Sequence, residues 1–108
     1  MDARTYRHEA QNLHTKADSF RKQVTRVQQA VETYARNGDF THVSSEQDRA
    51  AKLEEEAIRC DSQAVRYEQE AAHLEREAAE LDRQLIQLRT HYQQQEHALE
   101  TRIRQLLG

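Results

Sequence analysis

The sequence predicts an all-α fold: an antiparallel coiled-coil helical hairpin with an extended C-terminal helix that dimerises. Three observations carry that expectation. The 108 residues include no Pro and only two Gly, where an average chain of this length would hold about five and about seven, so turns and bulges have almost no raw material. Turn-forming residues gather at one interior place, Asn37-Gly38-Asp39-Phe40-Thr41-His42-Val43-Ser44-Ser45. On both sides of it apolar residues recur in heptads, the signature of supercoiled helix packing.

The first helix is expected over residues 2–36. Asp2 is a good N-cap, and Asn37-Gly38 reads as the C-terminus, with Gly38 free to take the left-handed conformation. With Ala3 at heptad position a, the a and d positions are Ala3, Tyr6, Ala10, Leu13, Ala17, Phe20, Val24, Val27, Val31 and Tyr34. None is polar, in a chain whose apolar content is 36%. A loop is expected over 37–45. Ser44 with Gln47, or Ser45 with Asp48, resembles an N-cap answered by a reciprocal side chain three residues on. The second helix therefore starts near Glu46 and meets no breaker before residue 107. Its a and d positions, counted from Ala50, are Ala50, Leu53, Ala57, Cys60, Ala64, Tyr67, Ala71, Leu74, Ala78 and Leu81, again all apolar.

Folding the chain at a nine-residue loop pairs Tyr34 with Ala50, Phe20 with Ala64, Ala17 with Tyr67, Tyr6 with Ala78 and Ala3 with Leu81. An Ala faces a larger side chain in most layers, so volume is conserved along the seam and the helices can approach closely. A parallel pairing of the first helix with itself would stack Ala on Ala and Phe on Phe. Charge favours the hairpin too. Residues 1–36 carry seven Lys/Arg against four Asp/Glu, and residues 46–81 carry five against eleven. The flanking e positions are Arg7, His14 and Arg21 on one helix and Glu54, Asp61, Glu68, Glu75 and Asp82 on the other. Exposed pairs of this kind contribute at most about 1 kcal/mol each, so they select orientation more than they stabilise.

The expected helices are unequal, roughly 52 Å and roughly 93 Å at about 1.5 Å per residue, so residues 82–107 are expected to project beyond the hairpin. That segment is dense in Leu. Leu81, Leu85, Leu88 and Tyr92 continue the heptads, Gln95 interrupts them, and Leu99, Ile103 and Leu106 resume after an eleven-residue step from Leu88. A step of that kind is a stutter, which relaxes the supercoil locally. Leu81, Leu85, Leu88, Tyr92, Leu99, Ile103 and Leu106 are therefore the candidate dimerisation and partner-binding residues, because an apolar stripe without a cover marks an interaction site. The alternative is a bend near Cys60-Asp61-Ser62 or at Gln93-Gln94-Gln95 that folds the last segment back as a third helix.

Other function classes find little support. No run approaches the length of apolar residues needed to span a membrane, and the N-terminus lacks the pattern of a signal peptide. With a single Cys60, the expectation is a soluble, cytoplasmic chain with no membrane partner. The net charge of −3 and the scarcity of aromatics argue against nucleic acid. No Gly-rich phosphate loop, paired-cysteine metal motif or activated nucleophile is present, so no catalytic residue, cofactor or metal is expected. Glu70-Ala71-Ala72-His73 has the Glu-x-x-His spacing of di-iron bundles, yet heptad counting turns both residues outward. His8, His14, His42, His91 and His97 fall at outer, flanking or loop positions and are expected to be solvated. Cys60, at a d position, is expected to be a small core residue.

In outline the chain resembles two kinds of small helical protein. The stalk and escort proteins of type III secretion are similar in having two long antiparallel helices with a short tip. Tubulin-binding cofactor A is similar in size and in a Gly-Asp tip, here Gly38-Asp39, although that family folds as three helices and this chain has no Pro or Gly break in its second. Both likenesses cover general shape and no diagnostic motif. The expected function is a non-enzymatic protein-protein interaction module, an adaptor or spacer that homodimerises. The resemblances imply an alternative, a small chaperone that holds a client helix.

Overall fold

A computed structural model describes all residues from Met1 to Gly108. It contains two helices, α1 (Ala3–Arg36) and α2 (Phe40–Leu107), and no strand. By contacts the chain divides into two units, Met1–Ala72 and His73–Gly108. The first is a helical hairpin in which the two long helices pack against each other. The second is the remaining helical segment.

Each helix end follows from its residues. At the start of α1, Asp2 is extended and its carboxylate accepts from the Thr5 backbone N–H at 2.7 Å, which satisfies one of the donors that a helix start leaves open. That bond holds the Asp2 carboxyl below its usual range. At the other end Asn37 is the C-cap and Gly38 adopts φ +73°. The Gly38 N–H donates to the Ala35 carbonyl at 3.1 Å and the Asp39 N–H to the Tyr34 carbonyl at 3.0 Å. This bond pair is the Schellman motif, which turns the chain away from the helix axis within two residues.

The next helix begins at once. Asp39 accepts from the His42 backbone N–H at 3.3 Å, and its own carbonyl accepts from the Val43 N–H at 3.2 Å. Asp39 is therefore the cap of α2, and Ser44 and Ser45 lie inside the helix. The loop is Asn37-Gly38-Asp39 rather than 37–45, and α2 starts at Phe40 rather than near Glu46. Ser and Asp are comparable caps, so what decides is that Asp39 stands directly after the left-handed Gly38, where the chain has already turned, and no Pro or Gly between Phe40 and Ser44 breaks the helix that starts there. The His42 ring is held from two sides, by the Asp39 carboxylate at 2.5 Å and by stacking on Tyr34 at a centroid distance of 4.8 Å. The chain stays helical through Cys60-Asp61-Ser62 and through Gln93-Gln94-Gln95, so the expected alternative of a third helix is not adopted.

The core of the hairpin is a seam. Its buried residues are Ala10, Ala17, Val24 and Val27 from α1 and Ala57, Cys60, Ala64 and Ala71 from α2, every one an a or d position. The other a and d positions of α1 are half-buried. No large side chain is fully enclosed, because two helices alone cannot surround one. Ala17, Ala57 and Cys60 form the central cluster, with Leu13 and Phe20 packed against it.

The register differs from the one expected. Ala17 meets Ala57 and Cys60 rather than Tyr67. Phe20 packs at that same cluster rather than at Ala64. The Tyr6 ring lies 5.5 Å from the Tyr67 ring rather than against Ala78. These contacts place α2 one heptad closer to the loop, as a three-residue loop requires. Val43 accordingly becomes half-buried, and burial at the seam positions of α2 runs from Val43 to Leu74, with Ala78 and Leu81 exposed.

Candidate interaction surface

Two groups of side chains stand out once the seam is set aside: a polar cluster on the flank of the hairpin and an apolar stripe from Leu81 to Leu106 in the C-terminal part of α2.

The polar cluster arises from e positions facing each other. His14 lies between two carboxylates, its Nδ1 2.8 Å from Asp61 Oδ1 and its Nε2 2.6 Å from Glu68 Oε1. Arg21 donates a second contact to Asp61. His14 is thus engaged on both ring nitrogens, not simply solvated as its flanking position suggested. The signal was present in the heptad assignment, since His14, Asp61 and Glu68 share the flanking stripe. What the pattern lacked was the register that brings them level. The carboxylates stabilise the imidazolium, so the His14 pKa is raised above 6.5, first through Asp61 and then through Glu68. Conversely, the bonds from His14 and Arg21 hold the Asp61 carboxyl below 3.8.

These shifts set a pH dependence. A raised His14 pKa contributes stability that is fully present below its unfolded value and is lost as pH rises through the folded one. A lowered Asp61 pKa contributes stability present above its unfolded value and lost as pH falls through the folded one. The hairpin is therefore expected to be most stable in the mildly acidic window between the two unfolded values, about pH 4 to about pH 6.5. Thermal unfolding followed by circular dichroism should show a midpoint that falls from about pH 6 to about pH 9, across the range in which histidine titrates. His14→Gln should remove most of that slope. If the variant keeps the slope of the parent, the cluster does not couple to folding.

The apolar stripe is made of the seven candidate residues. Leu81, Leu85, Leu88, Tyr92, Leu99, Ile103 and Leu106 are all exposed, from 43% at Leu85 to 70% at Tyr92. Spacings of three, four and seven residues place them on one face of the helix. The flanks of that face carry Asp82, Arg89 and Glu96 on one side and Gln84, His91 and Arg102 on the other. The side-chain bonds around it are local to the helix. Arg83 pairs with Glu80 one turn earlier at 3.2 Å, and the Thr90 and Thr101 hydroxyls donate to carbonyls four residues back.

The remaining candidates fall elsewhere. Glu70 and His73 are both exposed, and His73 Nε2 lies 3.9 Å from Glu77 Oε2. No group of three His, Cys, Asp or Glu side chains is arranged to hold a metal ion, and in the His14 cluster both ring nitrogens face carboxylate oxygens at hydrogen-bond distance. Cys60 is a buried free thiol in the central cluster. No helix is long and apolar enough to cross a membrane. Comparison of the chain with protein-family models, with curated proteins and with solved structures finds no match.

Proposed function

We propose that the chain is a non-enzymatic coiled-coil interaction module, an adaptor or spacer, in which an antiparallel helical hairpin is joined to a C-terminal Leu-rich helix that homodimerises. The reading rests on one observation above all: seven large apolar side chains aligned on one helix face, each at least 43% exposed. Water-exposed apolar surface of this extent and order is costly, and covering it with a helix that carries the same spacing removes the cost on both sides. A second copy supplies such a helix at the same concentration as the chain itself. The antiparallel sense of the hairpin is supported by the order of its contacts: Tyr34 with His42, Arg21 with Asp61, His14 with Glu68. Opposite charges along the flanks favour that orientation over its reverse. As an adaptor of this kind the protein works in the cytoplasm with a protein partner.

Sedimentation equilibrium or light scattering across a concentration series tests the reading. The parent chain is expected to weigh as a dimer at micromolar concentration. Leu85→Glu combined with Leu88→Glu should convert it to a monomer of unchanged helix content, because charge on the stripe does not touch the hairpin seam. A parent chain that stays monomeric at high concentration overturns the dimer and turns attention to a client helix as the cover, the chaperone alternative.

A further inference from the structure

We propose that the C-terminal stripe pairs with the same stripe of a second copy running in the opposite direction, about a dyad between Gln93 and Gln94. The inference rests on the homodimer reading and adds its geometry.

The stripe is straight. On an ideal helix of about 3.6 residues per turn, Leu81 and Leu99 are five whole turns apart, and the members between and beyond them fall within about 40° of the line that joins them. The eleven-residue step is what keeps the line straight, since it offsets the drift of the preceding heptads. Two such helices can lie side by side over the whole segment.

The stripe is also close to a palindrome. Counted forward from Leu81 through Gln95 to Leu106, the steps are four, three, four, three, four, four, three; counted backward they are three, four, four, three, four, three, four. Antiparallel pairing therefore sets Leu81 level with Leu106 of the second copy, Leu88 with Leu99, and Tyr92 with Gln95. The intervening Leu85 meets Ile103 to within the rise of one residue. The polar Gln95 is covered by a tyrosine, which offers an apolar ring and a hydroxyl partner in one side chain. In a parallel pair Gln95 would face Gln95, and Tyr92 would face Tyr92.

Charge on the flanks agrees. The dyad brings Arg89 level with the gap between Glu96 and Glu100 of the second copy, all three being exposed and on the same side of the stripe. That contact occurs twice, once on each side of the dyad. Parallel packing would instead place Asp82 beside Glu77 of the second copy and Arg89 beside the neutral Gln84. Flanking charges of this kind choose orientation rather than supply affinity.

Spin labels on the full chain read the arrangement. In a Cys60→Ala background, a label is placed at Arg83→Cys in one sample and at Gln94→Cys in another, and label-to-label distances are measured by pulsed dipolar spectroscopy. The antiparallel pair predicts a separation of about 30 Å at residue 83, twice its axial distance from the dyad at about 1.5 Å per residue. At residue 94 it predicts only the interaxial spacing of about 10 Å plus the reach of the labels. Short distances at both sites overturn the orientation and leave the dimer standing. No dipolar coupling at either site, with monomeric mass in the same samples, overturns the dimer itself.

Discussion

Ala57→Leu is expected to lower the stability of the hairpin by about 1–3 kcal/mol, the range for adding methylene groups to a packed interior. Ala57 is fully buried at the central cluster, against Ala17 and Cys60, with Phe20 packed beside it. A leucine there must push the helices apart or force its neighbours from their rotamers. The same change at Ala79, which is exposed on α2, should stay within about 0.5 kcal/mol. Urea denaturation of the two variants measures both. A second comparison reads the register directly. Phe20→Ala should relieve part of the cost of Ala57→Leu, so the double variant departs from additivity by about 0.5 kcal/mol or more. Phe20→Ala with Ala64→Leu should be close to additive. The reverse outcome would mean that the helices pair one heptad further from the loop.

The second large effect is expected at the turn. Gly38→Ala should destabilise the hairpin by about 1 kcal/mol, because Gly38 holds φ +73° and a left-handed backbone costs an L-residue about 1–2 kcal/mol. Reduced freedom of the unfolded chain offsets part of this. A Cβ at Gly38 would meet nothing within 4 Å, so the cost is conformational and not steric crowding by neighbours. Gly38→Asn should therefore recover much of the loss, since Asn tolerates the left-handed region better than Ala. Equal midpoints for the Ala and Asn variants in thermal unfolding would remove backbone conformation as the cause.

These two positions also show where reading the residues works and where it stops. The turn at Gly38, the cap at Asp2 and the membership of the seam from Ala3 to Tyr34 and from Ala50 to Leu74 were legible, because each depends on local chemistry: a residue that accepts positive φ, a carboxylate ahead of a helix, apolar side chains at heptad spacing. Val43 joined the seam, and Ala78 and Leu81 left it, only with the register. The start of α2 was harder to read. Ser44 and Ser45 carry the side chains of a helix cap, and only the hydrogen bonds around Asp39 show that the chain reverses in three residues. His14 failed for a related reason. Its neighbours Asp61 and Glu68 lie 47 and 54 residues away, so no local pattern could tell a solvated histidine from a bridged one. The stripe from Leu81 to Leu106 was legible as a pattern, and the structure adds that every member of it is exposed.

What the sequence determined by itself is the architecture. The absence of Pro, the single interior Gly and the apolar heptads on both sides of it leave two long helices with a shared seam as the low-energy solution. What the tertiary structure decided is the register. Ala recurs at Ala50, Ala57, Ala64, Ala71 and Ala78, one per heptad, and the larger residues of α1 recur with the same period. Sliding one helix past the other by a heptad therefore keeps an Ala opposite a large side chain in most layers, and packing alone barely distinguishes the two alignments. The loop breaks the tie. Three residues can connect helices only if Phe40 begins α2 beside the end of α1, and that geometry sets Phe20 against the cluster of Ala17, Ala57 and Cys60, brings His14 between Asp61 and Glu68, and ends seam burial at Leu74.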